Sequence, residues 1–180
     1  MGTPLDHLPA PEAVPEGYGL RAYDHSMADA VRETHNRAFR DYPNFTPWSK
    51  IAWEHNVTAS RSSRPQLSFV VVVDGSGEIV AYLRTVEFEA DFEATGRREA
   101  YVGGIGTVEE HRRQGLATAL LGHSLHAYRD AGFEEAALSV DSENPTGALG
   151  VYERAGFKVE SRWTDYSLVL SPDPRLAPLP

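Results

Sequence analysis

The sequence predicts an α+β domain in which about four helices cover a mixed, mostly antiparallel sheet of about six or seven strands. Leu67 to Val73 is an almost pure apolar, β-branched run, the pattern of a buried strand. Leu116, Ala119, Leu120, Leu121, Leu125, Ala127 and Tyr128 recur at helical spacing and form one broad apolar face. The strand-like segments between residues 67 and 108 follow one another directly, so they read as an antiparallel meander rather than as βαβ units.

In chain order, Tyr18 to Tyr23 reads as a short strand. Ser26 offers an N-cap for a helix reaching Arg40, with Ala30, Thr34 and Ala38 turned inward. A loop from Asp41 to Pro47 leads to a second helix, Trp48 to Ala59, with Ile51, Ala52 and His55 on one side. The strand Leu67 to Val73 turns at Asp74-Gly75-Ser76-Gly77 into a partner strand, Glu78 to Phe88, which makes a hairpin. The acidic stretch Glu87 to Glu93 and Thr95-Gly96-Arg97 then read as a connection into a strand from Glu99 to Val108. The helix Leu116 to Ala131 stops at Gly132. Ala136 to Val140 is a further strand, and Asn144-Pro145 supply the cap and first turn of a helix ending at Gly156. Phe157 to Glu160 and Trp163 to Leu170 close the pattern as strands. Residues 1–16 and 171–180 are rich in proline and read as tails, leaving residues 17–170 as one folding unit.

Composition narrows the chemistry. A chain of 180 residues with 41% hydrophobic residues has enough apolar mass for one core. No Cys is present, which removes disulfides, thiolate zinc sites and cysteine nucleophiles, and the seven His show no paired ligand spacing. No metal is expected. The net charge of −9 opposes binding to nucleic acid or anionic membrane, so an anionic ligand needs a local site. No apolar run is long enough to span a bilayer, and the N-terminal residues lack a basic start, so the expected location is the cytoplasm.

Such a local site is written into Ile105-Gly106-Thr107-Val108-Glu109-Glu110-His111-Arg112-Arg113-Gln114-Gly115-Leu116-Ala117, a strand passing through a basic turn into the strongest helix. A helix N-terminus leaves backbone N–H groups unpaired and carries partial positive charge, so it suits a pyrophosphate. Gly115 permits close backbone approach, and Ala117 places no bulk beside the first helical turn.

Arg112-x-x-Gly115-x-Ala117 resembles the acyl-CoA signature of the GNAT superfamily, and Asn144, Ala148, Tyr152 and Gly156-Phe157 resemble its second signature. Within that superfamily, the run DSENPTGALGVYERAGF and the upstream HNRAF are similar to the C-terminal half of mycothiol synthase and its single-domain relatives. The resemblance implies the GNAT fold and an acetyl-CoA-dependent N-acetyltransferase acting on a primary amine. It implies that main-chain groups of Ile105, Gly106 and Thr107 meet the pantetheine arm. The turn Arg112, Arg113, Gln114, Gly115, Leu116 and Ala117 would hold the pyrophosphate, and Asn144 would bond the cofactor. Tyr152 would protonate the departing thiolate.

Two positions depart from the family pattern. Pro145 stands where an Asn is usual, one residue after Asn144. Tyr101 stands where many members carry a basic carboxylate; Glu99, two residues earlier on the same strand face, is the remaining candidate for the base. A non-catalytic acyl-CoA sensor on the same fold is the rival reading. The acceptor and the oligomeric state, monomer or homodimer, stay open. Tyr42, Phe45, Trp48 and Trp53, with Glu87, Glu89, Asp91 and Glu93, suggest a rim for a cationic amine, or else core and solvated loop.

Overall fold

Residues 1–42, 45–141 and 147–164 are described by a computed structural model. The strands are β1 (Gly2–Pro4), β2 (Tyr18–Ala22), β3 (Phe69–Val73), β4 (Ile79–Val86), β5 (Glu99–Thr107) and β6 (Glu135–Ala137). The α-helices are α1 (Ala28–Phe39), α2 (Lys50–Trp53), α3 (Glu89–Thr95), α4 (Leu116–Asp130) and α5 (Ala148–Arg154). The strands form one sheet in the order β1-β6-β5-β4-β3-β2, antiparallel throughout except where β5 pairs with β6.

Helices cover both faces of this sheet, and the residue pattern follows from that. Val71 and Leu83 share a core cluster with Leu116, Leu120 and Tyr128 of α4, whereas Val70, Val72 and Tyr82 share another with Val31 of α1 and Trp53. Strand β3 is apolar at successive positions because neither of its faces meets water.

Residues 1–16 are not a tail. Gly2, Thr3 and Pro4 pair with Ala137, Ala136 and Glu135, and Gly2 also exchanges hydrogen bonds with Lys158. Leu5 is only 1% exposed in the larger core, and Leu8 and Val14 pack against it. Pro4 is compatible with this because β1 is the edge strand of the sheet, where a missing N–H is tolerated.

Other expectations shift locally. A 3-10 turn capped by Asp24 precedes α1, and Val31 rather than Ala30 is buried beside Thr34 and Ala38. Ser49 caps α2, which continues as π-helical turns from Glu54 to Thr58. There Trp53 and Val57 are buried while Ile51 is 84% exposed and His55 is exposed, so the inward face differs from the expected one. The acidic connection contains α3, ended by Gly96 in the left-handed conformation. Helix α5 follows Gly147, and the expected strand Trp163 to Leu170 falls mostly outside the described residues.

The second cluster surrounds His35, whose ring lies against Phe39, Phe45, Trp53 and Tyr82. Its Nδ1 is 2.5 Å from the Tyr82 hydroxyl. Burial first, and the Arg84 charge second, push its pKa down to about 4. The unfolded chain therefore takes up this proton near pH 6.5, before the folded chain does, and stability falls as pH drops from 6.5 toward 4. His35→Gln, which keeps a group for the Tyr82 hydroxyl, should flatten that part of the curve in urea unfolding measured across the interval. Leu5→Ala should cost about 2–4 kcal/mol in the same assay, as deletion from a packed core does; a free tail would give no change.

Candidate active site

Strands β5 and β6 pair in parallel only from Glu99↔Glu135 to Tyr101↔Ala137. Beyond that point β5 runs on to Thr107 against β4, while the chain after β6 leaves. A cleft of about 1010 Å³ occupies the gap, lined on one bank by residues 101–107 and on the other by residues 138–141 with Ala148, Val151 and Tyr152 of α5. Successive residues of a strand direct their main-chain groups to opposite sides, so alternate N–H and C=O groups of β5 have no strand partner on the cleft side among the described residues.

The β5 bank carries a bulge. Arg84 faces Gly104 and Thr85 faces Val102, which leaves Gly103 as an extra residue. The glycines there are required by what lies over them. A Cβ on Gly103 would sit 3.0 Å from Val86 Cγ1 and 3.3 Å from Arg84 Cζ, and one on Gly106 would sit 2.9 Å from Tyr82 Cε1. Thr107 Oγ1, also on this bank, is buried and has no hydrogen-bond partner among the described residues.

At the end of β5 the chain turns through Arg113 (φ 61°) and Gly115 (φ 85°), the intervening Gln114 having negative φ. Alternation of this kind turns successive N–H groups toward a common side and makes an anion cradle. The first intrahelical bond of α4 runs from Ala119 N–H to Gly115 O, so the preceding amides have no partner within the helix. Among the described residues the mouth is open: a Cβ on Gly115 would meet only Pro15 Cγ, at 3.9 Å. Side chains brace the turn from outside. Arg112 donates to Thr107 O (3.1 Å) and Ala38 O (2.7 Å), and the Tyr18 hydroxyl bridges His111 Nδ1 (2.7 Å) and Gln114 Oε1 (3.0 Å). The guanidinium of Arg112 is thus committed to carbonyls, whereas Arg113 is exposed.

The structure brings Ile105, Gly106, Thr107, Arg112, Arg113, Gly115, Leu116, Ala117 and Tyr152 to this one cleft. Gln114 is exposed and turned to Tyr18, outside the lining. Asn144 lies outside the described residues. Glu99 does not reach the cleft, because it sits where β5 and β6 are still paired, opposite Glu135.

Tyr152 is 7% exposed, and burial raises its pKa to about 12. It lines the same cleft as the bulge residues Gly103 and Gly104. Two contacts were not foreseen. Tyr101 donates to Ser139 Oγ at 2.7 Å across the point where the strands part, and Tyr42 donates to Asp141 Oδ2 at 2.6 Å across the opposite banks. Of the expected acceptor rim, Tyr42 lines the cleft, while Phe45 and Trp53 surround His35 and Trp48 packs on Trp53. Glu87 is taken up by Arg64 and Arg98. Among the described residues no cluster of metal-ligating side chains occurs, and no helix is long and apolar enough to cross a membrane.

Residues 25–157 match the family described as Acetyltransferase (GNAT) family. The mycothiol acetyltransferase of Salinispora tropica is 31% identical over 166 residues, covering 89% of this chain and 51% of the relative. N-alpha-acetyltransferase 30 of Schizosaccharomyces pombe is 28% identical over 111 residues, covering 62% of this chain and 67% of the relative. The crystal structure of a GCN5-related N-acetyltransferase from Sphaerobacter thermophilus superposes with a TM-score of 0.69 at 30% identity, over 86% of this chain and 45% of that one. The chain therefore spans about half the length of the mycothiol acetyltransferase and of the Sphaerobacter protein.

Gly115→Glu places an anion at the open helix mouth and should abolish acetyl-CoA binding in calorimetry. Gly115→Ala introduces only the strain of a side chain at positive φ, and binding should weaken by no more than about tenfold. Equal affinity in the Glu variant and the wild type would remove the anion site.

Proposed function

Because the chain belongs to the acetyltransferase (GNAT) family, whose members use acetyl-CoA to acetylate amines, we propose that it transfers acetyl to a primary amine by direct attack. The acceptor is an amine of a small molecule or a protein N-terminus. The observation that carries this reading is one continuous cleft running from an unplugged helix mouth to the buried phenol of Tyr152. Its parts fit the cofactor: an anion cradle, a strand with free main-chain groups, and the orphaned Thr107 hydroxyl between them.

Acetyl-CoA supplies an activated thioester. Amides of residues 113–117 hold its pyrophosphate, and the free main-chain groups among Gly103 to Thr107 hold the pantetheine arm as if it were an added strand. By its resemblance to the family's second signature, Asn144 would also bond the cofactor.

Tyr152 remains protonated at neutral pH, because burial holds its pKa near 12. That value also limits what it does. A departing thiolate has a conjugate acid of pKa about 8.5, so complete transfer from such a phenol is uphill, and Tyr152 acts mainly by hydrogen-bonding the sulfur as charge develops. The attacking amine must lose a proton as well. Glu99 is not part of the cleft lining, and after attack the ammonium of the tetrahedral adduct is acidic enough to release its proton to solvent through the cleft.

The mycothiol acetyltransferase and the N-alpha-acetyltransferase represent the two acceptor kinds, which makes an amine panel covering both the natural test. Thiol release from acetyl-CoA should depend on an amine in that panel, and Tyr152→Phe should lower kcat by roughly 10- to 100-fold with little change in acetyl-CoA affinity. Tight acetyl-CoA binding with no amine-dependent thiol from any acceptor would favour a sensor.

A further inference from the structure

A second, much smaller cavity lies on the α1 and α2 side of the sheet, over β3 and β4. Its volume is about 20 Å³, room for about one or two atoms the size of a water oxygen. Val31, Trp53 and Val57 contribute apolar wall, while Arg84, Tyr23 and Thr58 bring polar groups to it. Among the described residues no carboxylate and no lysine lines it.

Arg84 is partly buried there, and among the described residues its one hydrogen bond runs from Nη2 to Gly103 O at 2.7 Å. Its charge is felt at Tyr23, Tyr82 and the His35 ring, and no described carboxylate answers it. Asp24 and Glu54 act on Tyr23 as well, but neither lines the cavity, and Asp24 is turned to the Ser26 N–H. Thr58 Oγ1, near enough to Tyr23 to ease its ionisation, is buried outside hydrogen-bonding geometry to any described residue. A guanidinium stays charged on burial, so the cavity holds a standing positive potential with donors to spare. Withdrawing that charge from water unanswered is costly, and one anion of the right size removes the cost.

We infer that this cavity binds one small monoanionic group, a halide ion or the carboxylate end of a larger molecule, held by Arg84 with the hydroxyls of Tyr23 and Thr58. One cation sets the charge of the ligand, the volume sets its size, and the apolar wall disfavours a strongly hydrated dianion. Arg84 also lies against Gly103 of the cleft wall, where a Cβ would stand 3.3 Å from Cζ, so cavity and cleft share that wall. A free ion there neutralises the charge beside the cleft. A carboxylate carried by the amine acceptor makes the cavity a specificity element, an assignment that rests on the transfer reading above.

The test uses the full-length chain and chloride-35 NMR, with CoA at saturation so that the helix mouth is filled, and Gly115→Glu as a second way of closing it. The wild type should broaden the chloride resonance, and formate should displace the bound chloride saturably, whereas sulfate at the same ionic strength should not. Arg84→Met should abolish the broadening, Arg84→Lys should retain it, and Thr58→Val should weaken chloride binding by about 3- to 10-fold. An unbroadened resonance in the wild type overturns the proposal even if the Met variant fails to fold. So does broadening that survives in a folded Met variant, or displacement by sulfate as effective as by formate. Amines bearing a carboxylate, compared with their neutral amides, then identify the source. A kcat/KM preference of about tenfold or more for the carboxylate, lost in Arg84→Met and competed by formate, assigns the site to the acceptor; chloride binding without that preference assigns it to a free ion. Should the wild type release no thiol with any amine, the transfer reading fails while the chloride measurement still decides the site.

Discussion

The parting of β5 from β6 after the Tyr101↔Ala137 pair governs the rest of the molecule, because main-chain hydrogen bonds must go somewhere. Had the parallel ladder continued, the edge groups of residues 102–107 would be satisfied within the sheet and no cleft would exist. Instead the ladder stops, and the groups on that edge are left for a ligand that can pair like a strand. The helix mouth at Gly115 follows directly from the same strand, so the unpaired edge and the unpaired helical amides are contiguous. The anion site proposed for this acidic protein would thus be made largely of backbone, without needing a basic surface.

Keeping the cleft open requires support from both banks. On the β5 side, Tyr82 and Arg84 lie close against glycines that leave room for them, and His35 pairs with the Tyr82 hydroxyl. On the β6 side the support is β1. Strand β6 has only three residues, and a strand that short has little to hold it except its neighbours. The Met1 carbonyl accepts from Leu138 N–H, one residue beyond the last β5–β6 pair. The N-terminal residues thus anchor the diverging chain where it leaves β5.

Much of this was legible in the residues. The hairpin, the long helix and the strand-turn-helix segment appear where pattern and propensity agree, and the cofactor-side residues 105–107 and 112–117 come to one cleft apart from Gln114. What was missed depended on tertiary context. Proline near Leu5 argued for a tail, although proline forbids only the interior of a ladder. The acidic run at 89–95 read as solvated loop, although Glu and Ala followed by Gly96 is also a helix with its stop signal. Ile51 and His55 were set inward at a spacing of four, but the buried pair Trp53 and Val57 keeps that spacing two residues on, so the period was right and the face was set by packing against the sheet.

The site shows the same division between local and long-range information. Strand alternation correctly puts Glu99 and Tyr101 on one face, but a face is not a position along the strand. The strands separate only after Tyr101, and a residue two places earlier remains inside the paired region. Nothing local marks that point, since it is set by where the partner chain, more than thirty residues later, stops being parallel. The same limit hid Ser139, which gains significance only by standing across from Tyr101. Residues that bind through backbone can be read from a motif, because the motif is the backbone geometry. Residues that act through the space between two strands become visible only when both strands are in place.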